Sequence, residues 1–190
     1  MKQEKLLKWQ NSKLKQQFIF TLPAGMPTCA RVCPGCYAIK SQVRFPAALA
    51  YRQRMYDASL QPDFAQRIIT ELSTTRRSAR TVRVHESGEF YSQYYVNSWH
   101  TIAISLPQFT FYAFTKRLSD FDFSALLALP NFILINSLQH GGLNYAPLTD
   151  LRSDLFTCPA TLGRPVTCGI TCKYCMSKQA QYHAPQFVKH

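Results

Sequence analysis

The sequence predicts an α/β protein, a partial (β/α) barrel with mostly parallel strands, continued by an irregular C-terminal segment that carries four cysteines. Three observations point there. Residues 17–22, 81–85, 109–114 and 132–137 have the β-branched and aromatic character of buried strands. Helical spacing fills the stretches between them, and strands separated by helices at about two dozen residues indicate right-handed βαβ units and a parallel sheet. From Gly141-Gly142 onward that regularity fails. Residues 1–150 therefore read as the partial barrel, and residues 151–190 as a cysteine-rich segment packed on it.

Taken in order, residues 1–16 are polar and Lys-rich, with Leu6, Leu7, Trp9 and Leu14 as the only large apolar groups. A weak helix or a mobile arm is expected. The strand Gln17-Phe18-Ile19-Phe20-Thr21-Leu22 is stopped by Pro23, Gly25 and Pro27, so the cysteine loop that follows lies at a strand's carboxyl end. Pro46 suits the first turn of a helix running to about Leu60, and Pro62-Asp63 opens another that lines up Phe64, Ile68, Ile69 and Leu72. Arg76, Arg77 and Arg80 form a basic connection. Thr81-Val82-Arg83-Val84-His85 alternates like a strand and runs directly into Glu86-Ser87-Gly88-Glu89-Phe90. A helix carrying Tyr95, Trp99, Ile102 and Leu106 follows, with Pro107 as its stop. The third strand ends at Thr115-Lys116-Arg117. Asp120 suits the cap of a short helix containing Phe123, Leu126 and Leu127, and Asn131 leads into the fourth strand, which ends at Asn136-Ser137.

At 190 residues, 46% hydrophobic and 17% charged, the chain can bury a real core. No stretch approaches the roughly twenty apolar residues of a membrane span, and the N-terminus lacks a signal-peptide pattern, so a cytoplasmic protein without a membrane partner is expected. The 22 basic and 10 acidic residues give a formal charge of +12, and residues 1–55 carry ten Lys or Arg against the single acid Glu4. A field of that sign favours an anionic partner, nucleic acid through the basic N-terminal region or a nucleotide-like substrate; the plainer alternative is a solvated surface.

Seven cysteines divide into Cys29, Cys33 and Cys36, and Cys158, Cys168, Cys172 and Cys175. Disulfides would leave one thiol over, so the partition reads as two metal sites, the plainer alternative being buried free cysteines. In Cys29-Ala30-Arg31-Val32-Cys33-Pro34-Gly35-Cys36-Tyr37, three thiolates can share one [4Fe-4S] cluster and leave one iron open. His183 or His190 could supply a distant fourth ligand. The later set repeats the three-then-two spacing and adds Cys158, which saturates a second [4Fe-4S] cluster or a zinc ion, so that site is structural or electron-relaying.

The first loop resembles the signature of the radical S-adenosylmethionine (SAM) enzymes, in which SAM chelates the open iron. Those enzymes carry a Gly-Gly-Glu-Pro-like segment at the end of the second barrel strand. Ser87-Gly88-Glu89-Phe90 stands in the matching place, with Ser for the first Gly and Phe for Pro. The resemblance implies that Glu89 meets the ammonium of SAM in a charge-assisted hydrogen bond, that Gly88 lets the backbone approach, and that Tyr37 lies by the adenine. Asn136 and Ser137 are candidate ribose contacts, and His85 and Lys116 are candidates for substrate contact or proton transfer. The plainer alternative makes Glu86 and Glu89 solvent carboxylates ahead of the next helix. The chemistry implied is one-electron cleavage of SAM to methionine and a 5′-deoxyadenosyl radical that abstracts hydrogen from a substrate, with an external electron donor as partner. Arg31, Lys40 and Arg44 would raise the cluster's potential.

Over most of its length the chain is also similar to the gene product eighty-eight family of phage and plasmid proteins. The similarity rests on the cysteine loop, on His85-Glu86-Ser87-Gly88-Glu89-Phe90-Tyr91-Ser92, on Phe111-Tyr112-Ala113-Phe114-Thr115-Lys116, and on the terminal cysteines followed by Phe187-Val188-Lys189-His190. It implies a fold and a bacteriophage-related origin without naming a substrate. The rival functional class is a non-catalytic basic protein, stapled by two cysteine sites, that binds nucleic acid or a host protein.

Overall fold

Alternation along the strands decides the sheet. Phe18, Val82, Phe111 and Phe132 lie side by side across four parallel strands, and their successors Ile19, Arg83, Tyr112 and Ile133 form the next row on the opposite face. The computed structural model describes residues 4–30, 36–138, 145–146 and 148–188. Its five-stranded sheet runs in sequence order: β1 (Lys8–Trp9), β2 (Phe18–Ile19), β3 (Thr81–Val84), β4 (Thr110–Thr115) and β5 (Phe132–Asn136). β2 to β5 are parallel, and β1 is antiparallel at one edge. The fold is thus mixed α/β, with a mostly parallel sheet whose two edges are β1 and β5.

Helices fill the crossovers: α1 (Tyr37–Arg44), α2 (Pro46–Ser59) and α3 (Phe64–Ser73) before β3, α4 (Gln93–Ser105) before β4, and α5 (Ser124–Ala128) before β5. The main core lies on one face. Met55, Phe64, Ile68, Leu72, Tyr95, Trp99, Ile102 and Leu126 from the helices close over Phe20, Val82, Val84, Phe111, Ala113, Phe132 and Leu134. Its centre is aromatic. Phe20 meets Trp99 edge-on at 5.5 Å and Phe64 at 5.4 Å, while Phe111 stacks on Phe132 at 6.1 Å.

The opposite face is covered by the C-terminal part of the chain. After β6 (Tyr145–Ala146) come three single 3-10 turns, then α6 (Lys178–Tyr182) and β7 (Phe187–Val188), which pairs with β6 in parallel. Ala180 and Ala184 pack on Tyr112, Ile133 and Ile135, with Tyr174, Cys175 and Met176 at the margin. The Lys178 ammonium donates to the carbonyls of Leu129 and Phe132, at 2.8 and 2.9 Å, and fixes α6 at the start of β5.

Three expectations are corrected. Residues 1–16 are neither a helix nor an arm where described: Leu6 and Leu7 are buried, Trp9 packs edge-on against Phe18 at 5.1 Å, and the Glu71 carboxylate accepts the N–H of both Leu6 and Leu7. Asp120 caps no helix. Its carboxylate is held by Arg117 at 2.7 Å, and Asp122 accepts the Ser124 N–H instead, at the start of α5. α1 and α6 were hidden, α1 directly after the cysteine loop and α6 inside the stretch expected to be irregular. Among the described residues no helix is long and apolar enough to cross a membrane.

Phe20 is fully buried and touches three other core rings. Phe20→Ala is expected to lower unfolding free energy by about 3–5 kcal/mol in urea titrations. A loss below about 1 kcal/mol would show that this cluster does not organise the core.

Candidate functional site

The site forms where β2 and β3 end. Phe20 N–H donates to Arg83 C=O, Glu86 N–H to Phe20 C=O and Leu22 N–H to Ser87 C=O, so the ladder continues past both strands with a bulge at His85, whose φ is 62°. Gly88, at φ 84°, then turns the chain against β2. A Cβ there would lie 2.5 Å from Leu22 Cβ and 3.0 Å from the Pro23 carbonyl oxygen, which only glycine avoids. The turn delivers Glu89 into the interior. Its carboxylate accepts three hydrogen bonds of 2.9 Å, from Phe90 N–H, the Thr115 hydroxyl and Lys116 N–H. Burial pushes its pKa up, and these donors together with the Lys116 charge oppose the shift.

The first cysteine loop sits beside this junction. Thr28 donates its hydroxyl to the Pro23 carbonyl, and Cys29 N–H donates to Gly25 C=O at 2.9 Å. Cys36 is the residue preceding α1, where unpaired N–H groups favour negative charge. Burial raises the Cys29 thiol, and Glu89 and Cys36 both lie close enough for their charges to push it the same way. Tyr37 donates its hydroxyl to the Glu86 carbonyl at 2.7 Å, tying the loop to the end of β3. Cys33 and Arg31 lie outside the described residues, as does His190.

Two residues that pattern reading passed over brace the loop from behind. Buried Gln42 accepts the Ala24 N–H at 2.6 Å and donates back to the Ala24 carbonyl, and buried Arg52 donates to Gln42 and to the Ala38 carbonyl. A polar pair inside helices α1 and α2 was the available signal.

The remaining candidates separate. Ser87 is buried at the junction, and its hydroxyl has no partner among the described residues. Ser137 N–H donates to Thr115 C=O at 2.7 Å, and Asn136 accepts the Leu138 N–H, so the end of β5 adjoins the Thr115 that holds Glu89. Lys116 joins through its backbone, with its side chain half-buried. His85 does not face these strand ends. The bulge turns its ring into the aromatic core, 3% exposed, where Nε2 shares a 2.9 Å hydrogen bond with the Tyr95 hydroxyl and Phe90 meets it edge-on at 4.6 Å.

The second cysteine set lies on the sheet's other face. Cys168 and Cys172 pair through their backbones in a single parallel β-bridge, with Gly169 N–H donating to Cys172 C=O at 3.0 Å, and Cys168 C=O accepts Lys15 N–H from the β1–β2 connection. Cys158 N–H is anchored on Gln186 C=O at 2.9 Å. Cys158, Cys168, Cys172 and Cys175 act on one another electrostatically, and burial pushes Cys175 up to about 12. The six described cysteines are free and half-buried. Among the described residues no three Cys, His, Asp or Glu side chains converge tightly enough to hold a metal ion as they stand. The donor chemistry of both sets fits a thiophilic metal or cluster, and the unpartnered Ser87 hydroxyl fits a polar ligand at the first.

His85 gives a pH signature. Burial drives its pKa down to about 3, with Arg83 adding to the effect. The unfolded chain therefore takes up the proton first as pH falls, and stability is lost from about pH 6.5 downward. Glu89, whose folded pKa is raised, acts in the opposite sense. His85→Gln should remove about 3 kcal/mol of the stability difference between pH 7 and pH 4, read as urea midpoints at the two values. An unaltered pH slope would mean that His85 titrates normally.

No curated protein and no solved structure matches the chain. The gene product 88 family model matches residues 1–154, which include the first cysteine loop, the Glu89 junction and all five strands of the main sheet. The four C-terminal cysteines and residues 187–190 fall outside that match. By this correspondence over most of its length, the chain belongs to the gene product 88 family.

Proposed function

We propose that the chain is an iron–sulfur protein of radical SAM type, a partial (β/α) barrel that reductively cleaves SAM to act on a nucleotide or nucleic-acid substrate. The observation that carries this reading is the buried carboxylate of Glu89, held by Thr115 and Lys116 near Cys29 at the carboxyl ends of parallel strands, where α/β proteins collect their chemistry. Cys29, Cys33 and Cys36 would hold a [4Fe-4S] cluster, which when bound supplies one-electron reduction of the sulfonium. Glu89 keeps about one of its four lone-pair positions after accepting three hydrogen bonds. An ammonium there would hold it ionised against the burial that now raises its pKa. Ser87, whose hydroxyl has no partner among the described residues, and Gly88 line the same junction; Tyr37, Asn136 and Ser137 border it. An electron donor, a phage-type origin and a cytoplasmic location belong to the same proposal.

A second reading has its own support. The C-terminal segment covers the sheet face opposite the helices, with Tyr112, Ile133 and Ile135 under it. A metal-stapled basic binding protein would need that face filled and would need no reaction at the strand ends.

Anaerobic reconstitution followed by reduction with SAM separates the two. The enzyme reading expects about four irons at the first loop, lost in Cys36→Ala, and 5′-deoxyadenosine as product. Glu89→Gln should weaken SAM binding about tenfold with iron content retained. Zinc at both sites with no SAM binding would leave the binding protein as the surviving reading.

A further inference from the structure

We infer that the open cleft at the amino-terminal ends of β3 and β4 holds the phosphate backbone of a nucleic-acid strand. Thr81 and Thr110 are the first residues of those two strands and stand side by side in register, at the end of the sheet opposite Glu89. Strand alternation puts them on the face of Arg83 and Tyr112, which the C-terminal segment covers. Between them and that segment lies a cleft of about 380 Å³, the size of a small-ligand site, whose polar lining is Gln16, Arg80, Thr81, Thr110, Lys173 and Ser177. The cleft stands apart from the first cysteine loop and involves no metal.

The charge around this cleft is of one sign. Residues 5–56, 72–85, 90–119 and 155–190, the four segments that meet there, contain no Asp or Glu. Arg80 is held in place: its guanidinium lies 5.2 Å from the centre of the Phe109 ring and donates to the carbonyls of Arg77 and, at 3.1 Å, Ala79, while its own carbonyl accepts the Thr110 N–H at 2.7 Å. Arg77 sets its guanidinium 4.2 Å from the centre of the Trp9 ring, and Arg76 beside it is exposed. Among the described residues none of these arginines pairs with a carboxylate, and the Lys173 ammonium and the Thr81 and Thr110 hydroxyls have no protein partner. A guanidinium braced on a ring keeps its charge available to an outside anion. Cations and hydroxyl donors with no acid among them are the set that holds phosphate oxygens. A free phosphate would need the cleft alone. The cations continue outside it through Arg77 and Arg76, so a strand seated between Arg80 and Lys173 has partners for its neighbouring phosphates.

Fluorescence anisotropy of a labelled single strand of about twenty nucleotides, titrated with the full chain in the absence of SAM, tests the inference. Arg80→Gln with Lys173→Gln should weaken binding about tenfold and lower the slope of log affinity against log salt by about 1.4. Thr81→Val with Thr110→Val, which leaves charge and strand propensity alone, should weaken it about threefold. Should the Arg80 variant fail to fold by circular dichroism, Lys173→Gln by itself, at a side chain that braces nothing, should still cost about threefold. A loss no greater than that of Arg54→Gln with Arg164→Gln, which removes the same charge from outside the cleft, would overturn the inference. So would an effect confined to inorganic phosphate or a mononucleotide, with binding of the strand unchanged.

Discussion

The carboxylate of Glu89 holds the ends of β3 and β4 together, and the first cysteine loop is placed against the same junction. Taking a carboxylate out of water costs several kcal/mol, and three hydrogen bonds from Phe90, Thr115 and Lys116 offset much of it. The geometry is over-determined from below. Gly88 can pass Leu22 only because it lacks a Cβ, and the bulge at His85 supplies the extra backbone that lets the chain turn. Tyr37, Gln42 and Arg52 then fix the segments on either side of the loop, and Cys29 lies near both Glu89 and Cys36.

The sheet has two working faces with different occupants. Helices and an aromatic core fill one, and the family match runs through all of it. The other is covered by the cysteine-rich segment, which lies beyond the match and is seated on Tyr112, Ile133 and Ile135, with Lys178 pinned to the start of β5. The polar side chains of that face, Gln17 and Arg83, are oriented by Tyr112, whose hydroxyl donates to Gln17 at 2.6 Å. The described cysteines therefore belong to separate environments: Cys29 lies at the strand ends near a buried acid, whereas Cys175 packs on the opposite sheet face.

Much of the fold was legible because burial repeats. Strands β2 to β5 and helices α2, α3 and α4 were read within a few residues, since Phe64, Ile68 and Leu72 or Tyr95, Trp99 and Ile102 recur at helical spacing and all of them are buried. β1 was not legible. Two residues carry no period, and what holds Leu6 and Leu7 is Glu71, far along the chain. Asp120 was misread as the cap because Arg117 holds its carboxylate, again a partner that spacing does not reveal, and Asp122 accepts the Ser124 N–H. At the site, Glu89, Gly88 and the cysteines were picked out by residue type, whereas His85 was misplaced because strand alternation does not register a bulge. Gln42 and Arg52 were missed because their role is visible only once α1 and α2 pack behind the loop.

In the function proposed for this chain, Cys29, Cys33 and Cys36 would leave one metal position for a small sulfonium ligand next to Glu89. Electron–nuclear double resonance on the reduced, reconstituted chain with SAM labelled by nitrogen-15 at its amino group tests it most directly. The account predicts a hyperfine coupling between the cluster and that nitrogen, absent in Cys36→Ala. A reduced cluster whose spectrum is indifferent to SAM would contradict it.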